Sequence, residues 1–238
     1  MSSKRFRGKP CAYCFKNPAT TGDHIFAREF FLPSVRANLP QVPACEACNN
    51  LKSQLEHYLT ALLPFGGRHA DASVNLNDHV PRRLQRNQKL YKELDAGRGN
   101  AWTFEKDTWQ KTMSLPFDAK RAAQFFAMVG RGLALHHFDL YLNEGQASGT
   151  IFPSAKLSAM YDHLFQHPES NPIHHALGND TVTYTGLMRE HPRLETIWRL
   201  RVYGGLMLAD STDKDSASSS EIIVVTGNQD LVKMLVEM

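Results

Sequence analysis

Cys11-Ala-Tyr-Cys14 and Cys45-Glu-Ala-Cys48 are the stretches that decide the fold of the N-terminal part of this chain, and 30 residues separate them. A CxxC turn places two sulfurs close enough to share one metal ion, and two such turns complete a tetrahedral site of four sulfurs. A single CxxC would also suit a thioredoxin-like redox pair, but that alternative predicts no second pair. The sequence therefore predicts one structural zinc ion bound by Cys11, Cys14, Cys45 and Cys48.

The segment between the two cysteine pairs is longer than a minimal zinc ribbon needs, and it carries polar residues suited to chemistry. It contains Gly22-Asp23-His24, which we predict to be part of a hairpin strand, and Asn49 follows directly after the last cysteine. A helix is expected to begin just after the fourth cysteine, because leucines recur there at helical spacing, and to end near Pro64. Zinc binding would draw Asp23, His24 and Asn49 together.

The order and spacing of these residues resemble the HNH endonuclease family, whose members share a ββα-metal motif. The matching elements are Cys11-x-x-Cys14, Asp23-His24-Ile25, Asn38-Leu39 and Cys45-x-x-Cys48-Asn49-x-x-Lys52. The asparagine directly after the fourth cysteine also resembles the phage Holliday-junction resolvases of the endonuclease VII type. The resemblance covers residues 11–52.

The resemblance implies an endonuclease, an enzyme that hydrolyses phosphodiester bonds, with DNA as the expected substrate. It implies that His24 is the general base that activates water, and that Asp23 and Asn49 bind a catalytic divalent metal ion such as Mg²⁺. It also implies that Asn38 braces the hairpin loop. These roles agree with elementary chemistry, because Mg²⁺ prefers oxygen ligands and an imidazole with an ordinary pKa of ~6.5 is largely neutral near neutral pH.

Three assignments in this segment have alternatives. Neighbouring residues on a regular strand point to opposite faces, so Asp23 and His24 serve one site only if the strand ends or distorts there. Asn49 is also suited to capping the following helix, and Asn50 is the rival metal ligand. Lys52 is predicted to contact phosphate, with a solvated lysine as the alternative.

The charge of the chain is unevenly distributed, which favours a polyanionic partner. Residues 1–110 carry a balance of +6, whereas residues 111–238 carry a balance of −3. We therefore expect nucleic acid as the partner of the N-terminal half. Arg82, Arg86 and Lys89 are interpreted as a helical stripe that contacts the phosphate backbone, and a solvated helix face is the alternative.

The composition points to a globular protein rather than a membrane protein. Hydrophobic residues make up 42% of the 238 residues, and no run of about 18 apolar residues exists. The N-terminal basic residues are not followed by the apolar stretch of a secretory signal. We therefore expect a cytoplasmic protein with no membrane partner.

The expected fold class is α+β, with a zinc-bound ββα-metal motif in residues 1–65 and an α+β region of unknown role in residues 66–238. Residues 66–79 are predicted to be a loop, and residues 81–95 an amphipathic helix. The remaining predictions are a longer helix from Asp118, a short helix at Lys156–Phe165, strands at Thr181–Thr185, Ile197–Tyr203 and Ile222–Val225 that form a small antiparallel sheet, and a short terminal helix.

A second interpretation is a non-catalytic zinc module that only binds nucleic acid or protein. The combination of Asp23, His24 and Asn49 favours the enzyme, because binding alone has no need of it. The roles left open for residues 66–238 are DNA binding, sensing of a signal and formation of a homo-oligomer.

Overall fold

The computed structural model describes residues 3–105, 108–167, 170–189, 195–206 and 220–237. The fold is mixed α+β, as expected, with a helical middle and an antiparallel sheet towards the C-terminus. Within these ranges, no helix combines the length and the apolar character that crossing a membrane requires.

The N-terminal part is a hairpin followed by a helix. Strand β1 (Thr21–His24) pairs antiparallel with β2 (Gln41–Ala44), and helix α1 (Glu46–Leu62) follows directly. The helix begins slightly earlier than expected, so that Cys48 lies in its first turn rather than before it.

The segment after α1 differs from the sequence prediction in two ways. The predicted loop at residues 66–79 contains helix α2 (Ala70–Val74) and a π-helical turn over Asn75–His79. The single helix predicted for residues 81–95 is two helices, α3 (Val80–Arg86) and α4 (Gln88–Ala96). They are separate because Asn87 leaves the helical conformation, with φ −120° and ψ 73°.

A two-stranded hairpin that the sequence analysis missed precedes the longest helix. Its strands are β3 (Gly99–Glu105) and β4 (Thr108–Ser114). Helix α5 (Ala119–Phe138) then begins after Asp118, whose carboxylate accepts a hydrogen bond from the Arg121 amide at 3.0 Å. It ends at Phe138, and the following residue, Asp139, has a left-handed φ of 52°.

The C-terminal part is a five-stranded antiparallel sheet, larger than the small sheet expected. Its strands are β5 (Gln146–Ile151), β6 (Ile173–Leu177), β7 (Val182–Arg189), β8 (Glu195–Val202) and β9 (Ile222–Asn228), in the order β5-β9-β8-β7-β6. Helices α6 (Ala155–Gln166) and α7 (Gln229–Glu237) complete this part. The three predicted strands are β7, β8 and β9, whereas β5 and β6 were not predicted.

Helix α5 joins the N-terminal hairpin to the sheet through two close contacts. A Cβ atom on Gly130 would lie 2.4 Å from Cγ1 of Val224 in β9, and one on Gly132 would lie 3.1 Å from Cγ1 of Ile25. Glycine therefore lets the helix approach both neighbours. One buried apolar cluster spans both regions, so residues 1–65 and 66–238 share a core.

Candidate functional site

The four cysteines come together in a geometry that can hold one metal ion such as zinc. Their sulfur atoms all lie within 4.8 Å of one another. The Sγ atoms of Cys14 and Cys45 are 3.8 Å apart, and a tetrahedral zinc ion with bonds of ~2.3 Å separates its sulfur ligands by about 3.8 Å. The turn after Cys11 and the first turn of α1 supply one pair of sulfurs each.

Burial and the neighbouring thiols shift the pKa values of three of these cysteines. Burial raises the pKa of Cys45, but hydrogen bonds with Cys48, Cys11 and Cys14 outweigh it and lower the pKa to about 7. Burial and the neighbouring thiols raise the pKa values of Cys11 and Cys48. Four thiolates packed together would repel one another. A divalent metal ion offsets this repulsion, because it binds thiolates and displaces the thiol protons.

Asp23 and His24 lie at the end of β1, beside the cysteine cluster. Both residues belong to the regular ladder, with Asp23 opposite Val42 and His24 opposite Gln41, and the strand ends at His24. The Asp23 carboxylate Oδ2 accepts a hydrogen bond from the hydroxyl of Tyr13 at 2.6 Å. Because Tyr13 belongs to the first CxxC turn, the cysteine cluster and the Asp23 carboxylate are positioned by the same segment.

Lys52 does not have the environment of a phosphate-binding or solvated lysine, so both expectations for it are wrong. Its side chain is 1% exposed, and its ammonium lies 3.1 Å from Oδ2 of Asp23 and 2.5 Å from Oε1 of Glu56. It also donates to the backbone carbonyl of His24 at 2.6 Å. A buried cation with these three acceptors fixes the end of β1 against α1.

Replacing Lys52 with methionine is expected to lower the free energy of unfolding by about 3–5 kcal/mol, because it leaves the partly buried carboxylates of Asp23 and Glu56 without their buried cation. Urea unfolding of the zinc-loaded protein measures this change. Lys89→Met, which removes an exposed lysine, is the matched control. A free energy within about 1 kcal/mol of the wild type would show that the ion pairs do not stabilise the fold.

His24 is held as a neutral imidazole by its surroundings. Burial and the positive charge of Arg28 lower its pKa, and Asp23 opposes them in part. The side-chain amide nitrogen of its cross-strand partner Gln41 lies 2.9 Å from Nε2 of His24. Arg5 donates to Oε1 of Gln41 at 3.3 Å, so the amide nitrogen faces the ring and donates to an unprotonated Nε2.

Asn49 lies on the same face of α1 as Lys52, three residues earlier. The residue that caps this helix is Cys45, so the capping alternative for Asn49 does not apply. Asn49 is half-buried whereas Asn50 is exposed. Asn38 is exposed and adopts a left-handed φ of 59°, so its contribution to the loop is through its backbone, in a conformation that asparagine tolerates.

The three basic residues predicted to form a phosphate-contacting stripe are exposed, but they do not lie on one helix. Arg82 and Arg86 lie on α3, whereas Lys89 lies on α4 after the break. Their neighbour Arg83 points elsewhere: it donates to the backbone carbonyls of Thr60 and Glu29. The prediction of a continuous stripe is therefore wrong, and the three exposed side chains belong to two helices.

Three residues at this site were not predicted from the sequence, namely Tyr13, Gln41 and Glu56. Glu56 follows Lys52 at i+4, which is a recognisable ion-pair spacing on a helix. Gln41 could be found only from the hairpin register, and Tyr13 only from the position of the first CxxC turn beside β1.

Two histidine pairs, His136-His137 and His174-His175, form no group of metal ligands among the described residues. His137 and His175 have ring centroids 4.7 Å apart, and Nε2 of His137 lies 3.0 Å from the Tyr184 hydroxyl. Burial, with His136 and His175 nearby, lowers the pKa of His137 to about 4. Within the part of the chain that the structure describes, the four cysteines are the only group of three or more His, Cys, Asp or Glu residues whose ligand atoms lie close together.

The hairpin and helix that hold the four-sulfur cluster therefore also carry a carboxylate, an imidazole and a half-buried amide. A carboxylate and an amide carbonyl offer oxygen ligands to a hard cation, and a neutral imidazole offers a proton acceptor. No protein-family model matches the sequence, and no curated protein or solved structure is significantly similar to it.

Proposed function

We propose that this protein is a metal-dependent endonuclease of the HNH type that hydrolyses phosphodiester bonds of DNA. The observation that carries the proposal is the placement of Asp23 and His24 at the end of a hairpin strand between two converging cysteine pairs. Asn49, on the helix that follows, supplies the third residue of the expected combination.

The residues present fit a catalytic divalent metal ion such as Mg²⁺. Asp23 and Asn49 would hold it, and the two protein contacts of the Asp23 carboxylate both fall on Oδ2. Mg²⁺ commonly binds through one or two carboxylates together with substrate phosphate and water. When bound, such an ion stabilises the negative charge that develops on phosphate oxygens during hydrolysis.

His24 would accept the proton of the attacking water. Its lowered pKa keeps the imidazole neutral near neutral pH, which a general base requires. Because the Gln41 amide donates to Nε2, the water must replace that amide at Nε2. Gln41 is therefore a positioning residue that sets the ring orientation before substrate binds.

Nucleic acid would be held chiefly through its phosphates. The N-terminal half carries the excess of positive charge, and Arg82, Arg86 and Lys89 present exposed cations on α3 and α4. Contacts of this kind position a duplex without reading its sequence, and they weaken as salt concentration rises.

A second candidate function is a zinc module that binds nucleic acid or protein without cleaving it. One contact favours this candidate: the Lys52 ammonium lies 3.1 Å from the Asp23 carboxylate. A carboxylate already neutralised by a buried cation attracts a metal ion less strongly. The two candidates differ in whether divalent metal ions produce cleavage.

The requirement for Asp23 tests the proposal. The zinc-loaded wild type is expected to nick supercoiled plasmid when Mg²⁺ is added. Asp23→Asn keeps an oxygen that can accept from Tyr13 and Lys52 but removes the charge, so folding should persist while half-maximal cleavage needs more Mg²⁺. Cleavage rate against Mg²⁺ concentration measures this shift.

Two outcomes would contradict the proposal. In the first, Asp23→Asn cleaves with the Mg²⁺ dependence of the wild type, which would remove Asp23 from the metal site. In the second, both proteins are folded, zinc-loaded and inactive while still binding plasmid, which would favour the non-catalytic module.

A further inference from the structure

The outer face of the C-terminal sheet has two halves with different surroundings. Helices α6 and α7 cover the half formed by β5 and β9, where an apolar cluster packs around Ile223 and Val225. Over β6, β7 and β8 the same sheet forms a cavity of about 360 Å³. This is within the size range of small-molecule sites.

The hydrogen-bonding register places polar side chains in rows across the floor of this cavity. His174, Thr185 and Arg199 are cross-strand partners in one row. Thr183 and Arg201 are partners in the next row. Paired residues of an antiparallel sheet project from the same face, and all five residues line the cavity.

The two arginines are held in place by carboxylates that are not among the lining residues. Arg199 pairs with Asp162 of α6 through Nη1 and lies with its guanidinium carbon 4.8 Å from the centroid of the Phe165 ring. Arg201 donates from Nε and Nη2 to one oxygen of Glu221, at 3.0 and 2.5 Å. A guanidinium carries five N–H donors, so these bonds orient each group and engage only part of it.

The threonine and histidine side chains add hydrogen-bonding groups to the same surface. Nδ1 of His174 lies 3.0 Å from Oγ1 of Thr185. The cavity is therefore lined by two cations, two hydroxyls and an imidazole, and its lining residues include no carboxylate. Guanidinium groups match the oxygens of phosphate in a bidentate manner.

We propose that this cavity binds a small phosphate-bearing ligand of about mononucleotide size, through Arg199, Arg201, Thr183, Thr185 and His174. The donor set favours phosphate over carboxylate, because it offers more donors than a carboxylate with two oxygens can use. The concave floor favours a compact ligand over an extended nucleic-acid backbone. The site lies on the C-terminal sheet, apart from the cysteine cluster, and does not depend on the proposed nuclease activity.

The test is calorimetric titration of the full-length, zinc-loaded protein at fixed ionic strength. The probes are inorganic phosphate, a 5′-mononucleotide, the corresponding nucleoside and a single-stranded oligonucleotide. The mononucleotide is expected to bind saturably, phosphate more weakly, and the nucleoside not at all. If inorganic phosphate binds and the mononucleotide does not, the site still binds phosphate but does not accept a nucleoside attached to it.

Two variants assign the binding to this cavity. Arg199→Gln keeps a donor for Asp162 and removes the charge, and it should weaken mononucleotide binding by at least about tenfold. Thr185→Val removes one hydroxyl at nearly constant size. It should also weaken mononucleotide binding, and it serves as the test if Arg199→Gln does not fold. Arg189→Gln, at an exposed position on β7 that does not line the cavity, is the matched control and should bind as the wild type does.

Three results would overturn the proposal: no saturable binding of phosphate or mononucleotide to the folded wild type, unchanged affinity in the folded cavity variants, or binding of the oligonucleotide alone. The last is also expected from the basic residues of α3 and α4, and it would leave this cavity without a ligand of its own.

Discussion

Cys45→Ser is expected to release the bound zinc and to unfold the N-terminal region. Cys45 is buried and supplies one of four converging sulfurs, and a neutral serine hydroxyl replaces a thiolate ligand poorly. Zinc binding contributes on the order of 10 kcal/mol to the folding of small units of this kind. Because the N-terminal hairpin shares its core with α5 and the sheet, the melting temperature of the whole chain should fall.

Elemental analysis and thermal unfolding followed by circular dichroism measure the effect of Cys45→Ser. The wild type should contain one zinc ion per chain, and the variant much less. Ala47→Ser adds the same hydroxyl two residues later, at an exposed position, and should leave zinc content and melting temperature unchanged. Wild-type protein that contains no zinc after purification without chelator would contradict the metal assignment.

His24→Ala is expected to reduce DNA cleavage by about 10²- to 10⁴-fold if general-base catalysis is the only contribution lost. The fold should survive, because Lys52 contacts the backbone carbonyl of His24 and not its ring. The affinity for DNA should survive as well, because phosphate contacts supply most of it. The loss should therefore appear in the cleavage step alone.

Single-turnover cleavage rates and DNA affinities, measured on matched zinc-loaded preparations, test this expectation. His57→Ala, which removes an exposed histidine from α1, should cleave at the wild-type rate. If His24→Ala is folded, zinc-loaded and as fast as the wild type, His24 is not the base and this site is not the nuclease centre.

Features with local signals could be predicted from the sequence. The two CxxC turns predicted the sulfur cluster because each pair is positioned by its own turn. Helix α5 was predictable because Asp118 is a suitable cap and apolar residues follow at helical spacing. The β3–β4 hairpin also has a local signal, since Trp102 and Phe104 alternate with Ala101, Thr103 and Glu105 along β3.

The segment at residues 66–79 could not be predicted because its partners are distant in the sequence. Asp71 in α2 accepts a hydrogen bond from the Thr181 hydroxyl at 2.6 Å. Asn75 in the π-helical turn donates to the carbonyl of Phe30 at 3.1 Å. These contacts, rather than local propensity, stabilise helical structure in a stretch whose sequence predicts a loop.

The burial of Lys52 in the candidate site also depends on a residue distant in the sequence. Its spacing from Glu56 was visible on the helix, but its burial depends on Asp23, which lies on a different element. A lysine is rarely buried unless it is paired, so the sequence favoured an exposed side chain. The break at Asn87 is different, because its side chain accepts from the Leu90 amide at 3.1 Å and asparagine is a common helix cap.

The most direct test of the proposed function is the initial rate at which zinc-loaded wild-type protein cleaves nucleic acid with and without Mg²⁺. We expect nicked and then linear products from supercoiled plasmid when Mg²⁺ is present, and none when it is omitted. Linear, branched and single-stranded DNA and RNA, tested in parallel, define the substrate. If protein that is folded, zinc-loaded and bound to DNA cleaves none of these substrates with Mg²⁺ or Mn²⁺, the nuclease assignment is wrong.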